Sequence, residues 1–167
     1  MAVQMAEDPE DAGERQNLGL LCYYPARAME FQVFAALAEA GFTDLTIAQG
    51  RIAARIGPAG TRVTELAEQA GVTKQTAGYL VDQLERAGYV RRVPDPTDAR
   101  ARLVQIADRG AAVREVARAT EAEVEAEWTA HLGPRVAGQL RRALTRLREV
   151  TDPYMDDGGE TPQPDSR

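Results

Sequence analysis

Apolar positions along the chain recur at intervals of three and four, switch to alternation, and then return to three and four. Between Leu18 and Ala40 the apolar series is Leu18, Leu21, Cys22, Pro25, Met29, Val33 and Leu37, with Gly41 behind it. This predicts a first helix, kinked or truly begun at Pro25. Thr46 is the predicted N-cap of a second helix bearing Ile47, Ile52 and Ile56, broken by Gly57-Pro58-Ala59-Gly60. Arg62-Val63 reads as a minimal strand, and Thr64 as the cap of a short third helix with Leu66, Ala67 and Ala70. Gly71-Val72-Thr73 follows: a glycine able to stop one helix left-handed, then a threonine able to cap the next. The fourth helix runs to about Ala87, where Gly88 closes it. Two helices joined by so tight a turn are a helix-turn-helix.

The period then falls to two. Tyr89–Val93 and Arg102–Ile106 alternate, and Asp95-Pro96-Thr97-Asp98 between them is turn chemistry. A hairpin directly behind the second helix of a helix-turn-helix is a wing. Beyond it, Val113, Val116, Ala117, Thr120, Val124 and Trp128 form a helical stripe from Asp108 to Leu132, and Gly133-Pro134 breaks it. Val136, Leu140, Ala143, Leu147, Val150 and Tyr154 then step alternately by four and three, the seam of a helix that packs on its own domain or on a second copy. The fold class is mainly α with a small β-hairpin wing. No repeat of 20–50 residues is present.

On a wheel of about 100° per residue, Ala77, Leu80, Val81 and Leu84 of the fourth helix share one face and form core. Gln75, Thr76, Gly78, Tyr79, Asp82 and Arg86 lie opposite, with Lys74 at the edge and Thr73 as the cap. Gln can read adenine, Thr can meet a thymine methyl or a phosphate, and the free N–H groups of a helix N-terminus suit a phosphate. The plain alternative for such a stripe is a solvated surface. Gly78, costly in mid-helix, implies either close approach of a DNA backbone or tight packing against another helix. At the hairpin tip Arg100 has the reach and charge for a minor groove. Arg92 and Arg102 are further candidate contacts, or ordinary solvated strand residues like Arg91. Asp98 is expected to hold the loop by pairing with an arginine.

Charge at first speaks against a polyanionic partner, since the 167-residue chain carries −6. Its distribution changes that. Five acids against Arg15 give residues 1–17 a balance of −4, and five against Arg167 give residues 152–167 the same, leaving +2 between them. Residues 86–102 alone hold +3, and phosphate attraction acts within a Debye length of about 8–10 Å. The two ends, acidic and poor in apolar periodicity, read as disordered tails. No apolar run approaches the roughly 20 residues that span a bilayer, the N-terminus lacks the marks of a secretory signal, and the single cysteine allows no internal disulfide. A cytoplasmic protein without a membrane partner is expected. His131 stands alone, and Glu121, Glu123, Glu125 and Glu127 spread around their helix, so no metal or cofactor is expected. With no P-loop, nucleophile elbow or HExxH motif either, the chain is expected not to be an enzyme.

The stretches Leu66–Thr76 and Leu80–Val90, followed by Asp95-Pro96-Thr97-Asp98-Ala99-Arg100, Val104-Gln105-Ile106 and Gly110, resemble the MarR family of winged helix-turn-helix regulators. The motifs span about Val63 to Gly110. Gly78 and Tyr79 stand where many members carry a small hydroxyl and a basic residue, and Ala107 replaces a usual capping threonine, with Asp108 as its substitute. The resemblance implies a homodimeric repressor on a pseudo-palindromic operator in double-stranded DNA. Its organisation would be a tail (1–17), a helical dimerisation region (18–44 and 108–151), a winged helix-turn-helix domain (45–107) and a second tail (152–167). Recognition helices would read major grooves about 34–36 Å apart. An apolar or phenolic effector would bind between the dimerisation helices and the winged domain, with Tyr23, Tyr24, Met29 and Phe31 as candidate lining residues, or else as plain core. Some members sense peroxide through a first-helix cysteine near tyrosines, which makes Cys22 a candidate redox residue, or else a small buried hydrophobe. A winged helix that binds protein rather than DNA is the alternative function.

Overall fold

A computed structural model describes residues 16–152 and 154. The tail expectations fall mostly outside these residues, but Asn17 belongs to the first helix. Its Oδ1 accepts the Leu20 N–H at 3.0 Å and caps α1, Leu18–Glu39. Helix α1 passes through Pro25, so Pro25 does not mark its start.

Helix α2, Ile47–Ala53, opens on a reciprocal capping box between Thr46 and Gln49. Strand β1, Thr61–Arg62, passes directly into α3, Val63–Ala70. Thr64 therefore lies inside the first turn and is not its cap. The entry is held instead by the Arg62 N–H donating to Glu65 Oε2 at 3.2 Å. Gly71 adopts φ 64°, and Thr73 Oγ1 accepts the Thr76 N–H at 3.1 Å to start α4, Lys74–Arg86. Helix-turn-helix geometry thus follows from two residues of the turn.

The wing consists of β2, Val90–Asp95, and β3, Asp98–Ile106, antiparallel and longer than the alternation predicts. Strand β1 joins the other edge of β3, giving the order β1-β3-β2. Helices α5, Asp108–Leu132, and α6, Pro134–Thr151, complete the chain. Ala107 caps α5 without a side-chain bond, and Asp108 sits in its first turn.

One core fills the centre of the winged helix: Ile52, Ile56, Leu66, Ala77, Val81, Leu84, Tyr89, Val90 and Val104, all nearly or fully buried. Two α5 arginines tie this unit to the long helices. Arg109 donates to the Ala87 carbonyl at 2.6 Å, at the C-terminus of α4. Arg114 donates to the Ala53 and Ile56 carbonyls at 3.1 and 2.7 Å, at and just beyond the C-terminus of α2. Carbonyls left over where a helix ends accept well from cationic donors. Gly110 allows the close approach, because a Cβ there would stand 2.2 Å from the Tyr89 carbonyl oxygen.

Candidate nucleic-acid interface

Helix α4 buries Ala77, Val81 and Leu84, with Leu80 partly covered. Lys74, Gln75, Thr76, Tyr79, Asp82 and Arg86 are exposed, so the wheel separates the two faces correctly. Space around Gly78 is open: a Cβ there would meet nothing within 4 Å. Tight helix packing, one of the two explanations offered for that glycine, is excluded.

The exposed residues differ in what already engages them. Thr73 and Thr76 hydroxyls lie 2.8 Å apart at the helix start. Arg86 Nε donates to its own helix at Asp82 O. Arg92 is not a free cation. Its guanidinium pairs with Asp82 at 2.6 Å and with Glu85, and its backbone N–H donates to Glu85 Oε1 at 3.0 Å. Those carboxylates hold the Arg92 pKa up against the opposing effect of burial. This cluster braces β2 against α4. Arg100 and Arg102 are exposed on β3, two apart and hence on one side of the hairpin, and among the described residues no carboxylate pairs with either.

The wing is shaped by an arginine–aspartate pair, but by a different aspartate from the one expected. Asp98 Oδ1 accepts the Arg100 N–H at 3.0 Å, so it fixes the turn through backbone. Asp95 is the buried partner, 6% exposed. Its Oδ1 accepts the Thr97 N–H and hydroxyl at 2.8 and 2.7 Å, and its Oδ2 accepts from Arg62 at 2.5–2.7 Å. Thr97, then Arg62, hold the Asp95 carboxyl down at about 2. The sequence shows the motif but not that Arg62, 33 residues earlier, closes it.

A second ionic cluster lies where α5 meets the winged helix. The Tyr89 hydroxyl donates to Asp44 at 2.5 Å, and Arg109 makes a two-pronged contact with Asp44 at 2.7 and 2.8 Å while covering the Tyr89 ring 4.2 Å from its centre. Bonds from Arg109 and Tyr89 hold Asp44 at about 2, whereas burial and the bond to Asp44 push Tyr89 up to about 12.

Between α1, α2, α5 and the winged-helix core lies a cavity of about 300 Å³, lined by Met29, Val33, Phe34, Leu84, Val113 and Arg114 among others. Of the residues expected at an effector site only Met29 lines it. Tyr23, Tyr24 and Phe31 are about half exposed and point elsewhere, so they are neither cavity lining nor core of the single chain. Cys22 is exposed in the single chain. The α6 seam is likewise uncovered: Val136, Leu140, Leu147 and Val150 are each more than 40% exposed. Among the described residues no group of three metal-ligating side chains occurs, and no helix is long and apolar enough to cross a membrane.

Residues 43–101 match the sequence model of the MarR family. No curated protein matches the chain by sequence. Among solved structures, a transcriptional regulator from Thermotoga maritima is 27% identical, with a TM-score of 0.59 over 83% of this chain and 96% of that one. MarR of E. coli in its apo form is 25% identical, with a TM-score of 0.65 over 80% and 98%. A Mycobacterium tuberculosis MarR family protein, in complex with salicylic acid, is 27% identical, with a TM-score of 0.59 over 80% and 98%.

Proposed function

We propose that this chain, whose residues 43–101 match the MarR family and whose fold is that of MarR-family regulators, is a homodimeric, sequence-specific DNA-binding repressor. The observation that carries this is the exposed start of α4, where Thr73, Lys74, Gln75 and Thr76 lie opposite a closed core, together with the exposed Arg100 and Arg102 of the wing. Residues 45–107 form the DNA-binding unit in this reading. The N-terminal turn of α4 enters a major groove with Gln75 and Thr76 toward base edges, and Arg100 enters the flanking minor groove. Arg92, engaged by two carboxylates, acts as a brace rather than a contact.

Residues 18–44 and 108–151 form the dimerisation region. The uncovered faces of α1 and α6 support it, because apolar stripes this large find cover in a second copy. Two recognition helices held one helical repeat apart, about 34–36 Å, then define a pseudo-palindromic operator. The cavity suits a small apolar or phenolic effector, and the salicylic acid complex of the mycobacterial relative supports that class. A ligand there touches both α1 and the α2–α4 core, so it could change the spacing of the two recognition helices.

Binding of the full-length protein to duplexes selected from a random pool tests this directly. Arg100→Ala is expected to weaken binding and to flatten the slope of log affinity against log salt by about one unit per lost contact. Unchanged affinity and slope would remove Arg100 from the interface.

A further inference from the structure

A chain of hydrogen bonds runs from the interior to the exposed face of α4, and its direction is fixed at one end. The Thr46 backbone N–H can only donate, and the Gln49 atom it meets at 2.8 Å must therefore be the carbonyl oxygen Oε1. Gln49, 7% exposed, consequently turns its amide Nε2 toward Gln83, whose facing atom at 3.0 Å must be the acceptor Oε1. Gln83 in turn presents Nε2 to the Tyr79 hydroxyl oxygen at 2.9 Å. Each amide orientation, normally ambiguous, is dictated by the one before it. At the end of the chain the Tyr79 oxygen is an acceptor from Gln83. Its own proton is left to donate outward, from a side chain 58% exposed on the face that carries Gln75 and Thr76.

We infer that Tyr79 is a dedicated hydrogen-bond donor to an acceptor atom on the DNA duplex, and that Gln49 and Gln83 are positioning residues that set its polarity. The inference rests on the DNA-binding reading and deepens it. A phenol free to rotate would offer a duplex either a lone pair or a proton, whereas this one is oriented before it binds. The acceptor is a phosphate oxygen or a purine N7, both of which take a proton and give none. Because Gln49 sits in α2 beside Gly50, which lines the cavity, the relay also joins the cavity wall to the recognition helix.

Full-length protein and a duplex selected against it provide the test, with Tyr79→Phe, Gln83→Met and the double variant. Tyr79→Phe, which removes the hydroxyl and leaves the ring, is expected to weaken binding about tenfold for a phosphate acceptor and less for a neutral N7. Gln83→Met is expected to weaken it less, and to add nothing in the Tyr79→Phe background. Single methylphosphonate substitutions along the duplex, and 7-deazapurine substitutions in a second set, distinguish the acceptors. In one set, one position should weaken the wild type and leave Tyr79→Phe indifferent. A Tyr79→Phe protein that binds as tightly as wild type while Arg100→Ala is weakened overturns the inference and leaves the DNA-binding reading standing. Additive effects of the two substitutions also overturn it. Failure of the wild type to bind any duplex at low salt defeats that reading and the inference together.

Discussion

The winged helix and the terminal helices obey opposite rules of burial. In the winged helix, Leu66, Ala77, Val81, Leu84 and Val104 have no exposed surface at all. In α1 and α6, by contrast, Leu18 is 74% and Val150 81% exposed, and α6 buries no residue fully. The first region spends its apolar residues on its own core, and its exposed surface is polar and cationic. The second presents an apolar surface that the single chain leaves uncovered. A helix whose apolar stripe meets water gains its stability from something it packs against. The proposed function gives the two regions different roles: one folds on itself and would face a polyanion, the other would fold toward a second copy of the chain.

This contrast can be broken most forcefully from inside. Leu84→Ala removes a fully buried side chain at the centre of the core and is expected to cost about 2–5 kcal/mol, read as a lower denaturant midpoint. A loss under 1 kcal/mol would mean that the core is less close-packed than its burial indicates. Leu140→Asp probes the other region. It should convert the protein to a monomer in sedimentation while leaving the near-UV spectrum of the winged-helix tyrosines in place. Retained dimerisation would move the interface off α6.

The junction is expected to respond to pH. Asp44 sits at about 2 in the folded protein against an ordinary 3.8, so below neutrality the unfolded chain takes up its proton first. Stability from this group is present above about pH 4 and is lost as pH falls toward 2. Asp44→Asn should flatten the acid limb of a plot of midpoint against pH. Asp95, also at about 2, should leave a residual slope that Asp95→Asn removes. An unaltered acid limb in Asp44→Asn would show that the Arg109 contact does not outlast solvent competition. Smallest is Gly78→Ala, expected to stabilise α4 by about 1 kcal/mol because the added methyl meets open space. If the same variant also weakens DNA binding, close approach of a DNA backbone explains the glycine; unchanged affinity would leave it unexplained.

How much could be read in advance varied with sequence distance. The Gly71–Thr73 turn, the two faces of α4 and the hairpin depend on residues within a few positions of each other, and periodicity exposed them. Thr64 resembles a cap in sequence but is not one, because β1 runs straight into α3, which depends on Thr61 and Arg62 pairing with Val104 and Leu103 some forty residues on. Asp98 attracted attention as the acid of the wing motif, yet Asp95 is the one that Arg62 reaches. Tyr23, Tyr24 and Phe31 read as pocket lining or core, yet in the single chain they are neither. Which side of α1 faces the cavity is settled by how α1 lies against α5.

Sequence alone determined the helix-turn-helix, the wing and the polar face of α4, because each arises from local backbone preference and from the helical and strand periods. Tertiary structure decided which charges are free and which are spent. It paired Arg92 with Asp82 and Glu85, placed Arg109 and Arg114 at helix ends, and set the Gln49–Gln83–Tyr79 relay. Apart from the Gln83–Tyr79 bond within α4, those outcomes turn on contacts 7 to 65 residues apart in the chain, and no local pattern encodes the distance between two groups that only folding brings together.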